Sequence, residues 1–345
     1  MSSPGSTGYH LELESVDDER QVVSTGSLPR SVEVRQAVTE AYDRYRDVCE
    51  GENASHYPAL AQVDPDLFGI AVVSTAGELH AVGAADTPFA IMSIAKPFVL
   101  ALVDEMLGAD AVRWQVGVNA TGFAFNSGIP VEQNPGHLTN PMVNSGALAT
   151  TSLVPGATVE DRWETIVASL SRFAGRRLEL DETIYTSASQ SNHRNRGLAN
   201  LLHSYDRLYG DVDETLDLYT RQSSLSVTTI DLAVMGCTLA GGGVNPITGD
   251  QIVGRACCRR VLAVMATAGL YETSGDWLFD VGLPGKSGVS GDIVTVSPGK
   301  GSLATFSPPL DHAGNSVRGQ RVANLLSYRL GFDLFSSNAD PARGA

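Results

Sequence analysis

The sequence predicts an α/β protein of the α+β kind: an antiparallel sheet flanked by helices, with a helical subdomain inserted between its strands. Two observations predict it. Segments with strand character lie toward the two ends, at residues 69–83 and 285–307, and helical periodicity fills the interval between them. The chain is also large enough. Its 345 residues, 43% hydrophobic and 18% charged, can build one large core or two smaller ones.

The elements follow in order. Residues 1–30 are polar and rich in Ser and Gly, and read as a loose tail. A helix fits residues 32–49, where Val34, Val38, Ala41, Tyr45 and Val48 recur at helical spacing. Residues 69–75 and 79–83 flank Ala76-Gly77-Glu78 and read as a hairpin. Thr158 with Asp161 forms a capping box ahead of Trp163, Ile166, Val167 and Leu170, and Thr228 with Asp231 repeats the device. Gly241-Gly242-Gly243 stops the second of these helices, and another helix covers residues 253–268. Two strands, 292–297 and 302–307, flank the turn Pro298-Gly299-Lys300-Gly301, and a last helix fits 316–328. The end strands share one sheet, with the first and last helices covering a face. The domain organisation read from this is a tail (1–30), one folded domain (31–330) with its helical subdomain at about 100–250, and a C-terminal tail (331–345).

Composition narrows function. A formal net charge of -15 argues against nucleic acid and anionic membranes as partners. Residues 1–30 carry five acids between Glu12 and Glu19 and no apolar core segment, so a cytoplasmic location is expected. There is no apolar run long enough for a membrane span. The four cysteines, Cys49, Cys237, Cys257 and Cys258, fit no zinc spacing and read as reduced and buried. No metal or organic cofactor is called for.

Ser93-Ile-Ala-Lys96 carries the chemistry. Residues three apart share a helix face, so the hydroxyl can be a nucleophile and the amine its base. Taken alone, the pattern is equally well explained by a capping serine and a lysine reaching solvent. Apolar neighbours Ile91, Met92, Ile94 and Phe98 place the lysine near a core, where desolvation favours the neutral amine that a base requires. Pro97 puts Ser93 at or before the first turn, where its own N–H is an oxyanion donor. Downstream, residues 140–147 hold two amides, Arg194-Asn195 follows a Tyr-Thr-Ser-Ala run, and Gly285-Lys286-Ser287-Gly288 reads as a strand edge with close backbone approach.

These segments, with Gly242-Gly-Val-Asn-Pro-Ile-Thr-Gly249, Gly269-Leu-Tyr271, Ser307-Pro-Pro-Leu-Asp311 and Gly314-Asn-Ser-Val-Arg-Gly319, occur in collinear order from about residue 33 to 330. In that order the chain resembles the serine-dependent glutaminases, which have the β-lactamase and penicillin-binding-protein fold. The resemblance implies hydrolysis of the side-chain amide of L-glutamine through an acyl-enzyme on Ser93. It makes Lys96 the base, Tyr219 and Tyr271 the pocket tyrosines, and the Val289 N–H the second oxyanion donor. Tyr57, Asn144 and Asn195 become substrate-holding residues, alongside Ser93, Tyr219, Tyr271 and Val289. It also implies a homodimer or homotetramer. Without the resemblance, Asn144 reads as a turn residue, Asn195 as a cap for a helix starting near Arg196, and both tyrosines as packing residues.

One position departs from the family. Its glutamate, seven residues before the asparagine matched by Asn195, falls here on Ala188. In the family that carboxylate receives the α-ammonium of glutamine. Either another group substitutes, with Glu182 and Gln190 close in sequence, or headgroup recognition is weakened or redirected. Two other functions stay open: a different Ser–Lys amide or β-lactam hydrolase, and an amino-acid sensor with an altered headgroup pocket.

Overall fold

The computed structural model describes residues 26–55 and 57–337. Its centre is an antiparallel sheet of five strands in the order β2-β1-β8-β7-β6. In chain order β1 is Gly69–Ser74, β2 Leu79–Gly83, β3 Phe89–Ala90, β4 Glu179–Leu180, β5 Leu225–Val227, β6 Gly285–Gly288, β7 Asp292–Ser297 and β8 Gly301–Phe306. The short strands β3, β5 and β4 pair in that order as a second sheet. The two end hairpins of the sequence thus meet through β1 and β8, with Gly69 opposite Phe306 and Ser74 opposite Gly301.

Both faces of the large sheet are covered, and the side-chain alternation of β1 shows it. Ala71 and Val73 enter a core shared with the helical region, while Ile70 and Val72 enter a core under the terminal helices. All six residues of β1, β7 and β8 are buried as a result. The terminal layer comprises Ser31–Tyr45, Ser274–Val281 and Val317–Arg329. On the opposite face lies Thr229–Ala240, a helix buried along nearly its whole length. Gly236 permits its close approach, since a Cβ there would fall 2.2 Å from Ser302 Oγ. Ala95–Leu107, Val159–Ala174 and Arg255–Ala268 pack around it in the same core.

The local signals read from sequence explain most boundaries. Thr158 Oγ1 accepts from the Asp161 N–H at 3.1 Å and Asp161 accepts from the Thr158 N–H at 3.1 Å. Thr228 and Asp231 make the same reciprocal pair, and Asp231 also accepts from Arg176 Nε at 2.8 Å. The first helix is shorter than the expected 32–49, spanning Ser31–Tyr45. Val48 keeps its apolar phase and still packs on the terminal-side core, but from outside the helix. Cys237, Cys257 and Cys258 are buried as expected, whereas Cys49 is exposed in the segment after the turn that ends this helix. Among the described residues, no helix is long and apolar enough to cross a membrane.

Candidate active site

A cavity of about 250 Å³ opens where the sheet edge meets the helical region. It is small beside the several hundred Å³ of pockets for drug-sized ligands, which suits a metabolite. Ser93, Tyr57, Asn144, Asn195, Tyr219 and Val289 all line it. Lys96 and Tyr271 stand behind this lining, 2% and 6% exposed.

Ser93 sits in a single 3-10 turn, Met92–Ile94, that runs directly into Ala95–Leu107. Met92 holds φ at 44°, a left-handed conformation that a long side chain rarely adopts. Such strain persists only where the surroundings impose it, and here it aims the residue before the candidate nucleophile. Tyr271, at φ 54°, is a second non-glycine residue with a left-handed backbone in this region, and its hydroxyl donates to the Ser287 carbonyl at 3.3 Å.

Lys96 follows on the first helical turn and points inward. Its Nζ donates to Asn144 Oδ1 at 2.7 Å and to the Met142 carbonyl at 3.3 Å, and no carboxylate is among these partners. Burial therefore lowers its pKa to about 7. A second amine, Lys286 of β6, is fully buried. It donates to the carbonyls of Gly269 and Ser287 at 2.9 and 2.6 Å and stands 4.4 Å from the centre of the Tyr271 ring. Desolvation first, and then the Lys96 charge, push its pKa down as well, with Asp292 opposing. Desolvation raises the pKa of both Tyr219 and Tyr271, so each keeps its proton at neutral pH.

Val289 is held across the cavity by the turn between β6 and β7. Gly291 makes that turn at φ 98°, where a Cβ would lie 2.2 Å from the Ser307 carbonyl. Ser290 Oγ donates to the Ala90 carbonyl at 2.9 Å and pins the turn to β3, just before Ser93. Ser93 and Val289 thus both line one small cavity.

The remaining wall is a hydrogen-bonded chain. Asn144 Nδ2 donates to Asn195 Oδ1 at 2.9 Å, Asn195 Nδ2 to Asn192 Oδ1 at 2.6 Å, and Asn192 Nδ2 to Thr220 Oγ1 at 2.7 Å. Thr220 closes it on the Leu216 carbonyl at 2.7 Å. Tyr219 adds a longer contact to Asn144 Oδ1 at 3.4 Å. Asn195 is not a cap: the helix begins at His193, and Asn195 turns its side chain into the cavity from the first turn. Asn192, Thr220 and Phe125 were not singled out from the sequence. Asn192 precedes Asn195 by three residues, the spacing of one helix face, and Thr220 adjoins Tyr219; those were the available signals. Phe125 stacks at a tilt on Tyr271, with centroids 4.4 Å apart, and only the tertiary fold brings it there.

Ala188 also lines this wall, 4% exposed. The two substitutes considered from sequence, Glu182 and Gln190, are exposed and do not line the cavity.

Comparison with known proteins gives a consistent answer. The profile of the family described as Glutaminase matches residues 51–335. "Glutaminase 2" of Yersinia pestis is 56% identical over 315 residues, which cover 91% of this chain and 93% of that protein. The glutaminase of Colwellia psychrerythraea is 46% identical, over 89% of this chain and 99% of that protein. Among solved structures, the probable glutaminase ybaS superposes with a TM-score of 0.88 at 42% identity, covering 90% of this chain and all of that one. The covalent complex of Bacillus subtilis glutaminase YbgJ with 5-oxo-L-norleucine superposes with a TM-score of 0.78 at 28% identity, covering 89% and 100%.

Proposed function

Because this chain belongs to the glutaminase family, we propose that it releases ammonia from L-glutamine through an ester on Ser93, with Lys96 as the base. The observation that carries this reading is the buried Lys96 amine, whose hydrogen-bond partners among the described residues are the neutral acceptors Asn144 Oδ1 and the Met142 carbonyl. An amine with a pKa near 7 is half neutral at physiological pH, and so can accept a proton without being too weak to hold it.

In the proposed cycle Lys96 takes the proton from Ser93 Oγ as the oxygen attacks the amide carbon. The N–H groups of Ser93 and Val289 receive the developing oxyanion. Tyr271 passes its proton to the departing nitrogen and recovers one from the Lys96 ammonium, so ammonia leaves with the phenol and the neutral amine both restored. Tyr219 braces Asn144 and through it Lys96. Water then adds to the γ-glutamyl ester, Lys96 takes its proton, and glutamate is released with the Ser93 proton restored. Tyr57, Asn144 and Asn195 hold the substrate. The covalent adduct formed by YbgJ with a glutamine-like diazoketone supports a nucleophilic mechanism in the family.

The test is covalent labelling with 6-diazo-5-oxo-L-norleucine followed by peptide mass mapping. The expected result is a single adduct on Ser93, absent from Ser93→Ala, together with a loss of ammonia release of at least about 10³-fold in that variant. An adduct on another side chain, or a Ser93→Ala enzyme of near-normal rate, would overturn the assignment.

A further inference from the structure

The cavity has an unusual balance of hydrogen-bonding groups. Among its described lining residues there is no carboxylate, and Arg194 is the one charged side chain. The acceptors of its amide chain each carry at least one bond already. Asn195 Oδ1, Asn192 Oδ1 and Thr220 Oγ1 each accept from the next amide along the wall, and Asn144 Oδ1 receives Lys96. Each amide nitrogen carries two hydrogens and spends one on that chain, so Asn144, Asn192 and Asn195 keep a donor in reserve. Arg194, exposed and also lining the cavity, donates from Nε to the Asn126 carbonyl at 2.8 Å, a bond that does not use its two terminal nitrogens. A wall of spare donors beside a guanidinium is complementary to a carboxylate. A primary ammonium brings three donors and a positive charge, and meets no counter-ion among the described lining residues. Ala188, which also lines the cavity, presents only a methyl group.

We infer that this pocket accepts linear dicarboxylic acid monoamides that lack an α-amino group, with 5-amino-5-oxopentanoate as the type, at least as readily as it accepts L-glutamine. The inference rests on the Ser93 acyl-transfer reading for its chemistry, because the amide carbon must still reach Ser93. It differs from that reading in what it says of the far end of the substrate. The small volume of the cavity favours a missing amino group over one carrying a bulky acyl substituent.

The decisive experiment measures ammonia release from L-glutamine and from 5-amino-5-oxopentanoate by the full-length enzyme. Values of kcat/KM for the two amides within about threefold, or favouring the des-amino compound, are expected; a preference for L-glutamine of about 100-fold or more would overturn the proposal. Ala188→Glu supplies the absent carboxylate and is expected to move the ratio toward L-glutamine by about tenfold or more, through KM. A folded Ala188→Glu enzyme with an unchanged ratio would also overturn it. Product binding decides the matter independently of turnover and of how that variant folds. Calorimetry on Ser93→Ala is expected to show glutarate bound at least as tightly as L-glutamate, and L-glutamate about tenfold tighter would sink the idea. Failure of both amides to release ammonia would count against the Ser93 reading alone, since the two products still report on the headgroup wall.

Discussion

At the Ser93 end of the cavity two lysine amines are held out of water, and two residues, Met92 and Tyr271, keep strained backbone conformations. At the Ala188 end the wall consists of neutral amides and hydroxyls with Arg194 beside them, supplied mainly by helices Asn144–Ser152, Glu182–Ser191, His193–Ser204 and Val212–Ser223 and by Asn192 between two of them. The first end departs from what a chain does for stability alone. A desolvated amine and a left-handed methionine each cost free energy, and both are placed where a proton and a nucleophile must be poised. At the second end the polar groups are paired with one another in sequence, and each amide of the chain keeps one hydrogen for a ligand. The lesson is that reactivity here comes from withheld partners, and recognition from groups oriented by one another. Each end therefore has its own way of failing.

The largest effect is expected at the reactive end. Lys96→Met keeps the buried stem and removes the amine. Its kcat should fall by about 10²–10⁴-fold, as for other lost general bases. Its thermal midpoint should stay level or rise, because the fold no longer has to desolvate a charged form. Activity and midpoint that fall together, with the midpoint lowered by several degrees, would recast Lys96 as a structural strut and erase the contrast between the two ends.

The next effect is a pH dependence whose sign follows from burial. Desolvation lowers the Lys96 pKa to about 7, so the neutral amine predominates above that pH and the ammonium below it. The rate constant kcat/KM should therefore be level at alkaline pH and fall as the pH drops through 7, approaching about tenfold per unit. The same shift bears on stability. The unfolded lysine binds its proton up to its ordinary pKa of 10.5, so between about 7 and 10.5 the unfolded chain carries more protons and this site's penalty shrinks as pH rises. A profile flat from pH 5 to 9 would mean that the base is some other group.

The sequence showed the reactive end more fully than the recognition end, for physical reasons. Ser93 and Lys96 are three residues apart on one turn, and Pro97 marks where that turn must lie, so their relation is local. The capping boxes at Thr158 and Thr228 are local too and stand where expected. The paired strands at each end were legible from alternation and turn residues, although their union through β1 and β8 spans more than two hundred residues and depended on the fold class. By contrast the Asn144, Asn195, Asn192 and Thr220 chain draws on three helices, and neither spacing nor periodicity encodes it. The strain at Met92 and Tyr271 was not legible either, since nothing in a methionine or a tyrosine announces a positive φ. Position 188 was legible only as a departure from a pattern. That nothing in the lining replaces its missing charge needed the cavity itself.

The smallest effect tests whether the two ends are as separate as their construction suggests. Asn192 lies at the middle of the amide chain, accepting from Asn195 and donating to Thr220. It also stands at the N-cap of His193–Ser204, yet its side chain makes no capping bond there. Asn192→Ala should therefore cost the helix little as a cap. It leaves one amide donor and one hydroxyl in the wall without their partners, at a cost of about 1–3 kcal/mol, and much of that is recovered if water enters the open cavity. Asn195 keeps the bond it accepts from Asn144 but loses the one it donates to Asn192, so KM should rise about tenfold. Lys96 keeps its own bond to Asn144, two links away, so kcat should stay within about threefold. Steady-state kinetics against pH separate the alternatives. An increase in KM with an unmoved pH midpoint keeps the ends distinct. A fall in kcat with a displaced midpoint would show that the chain transmits the headgroup contact to the Lys96 amine, and that the neutral wall tunes the base as well as holding the substrate.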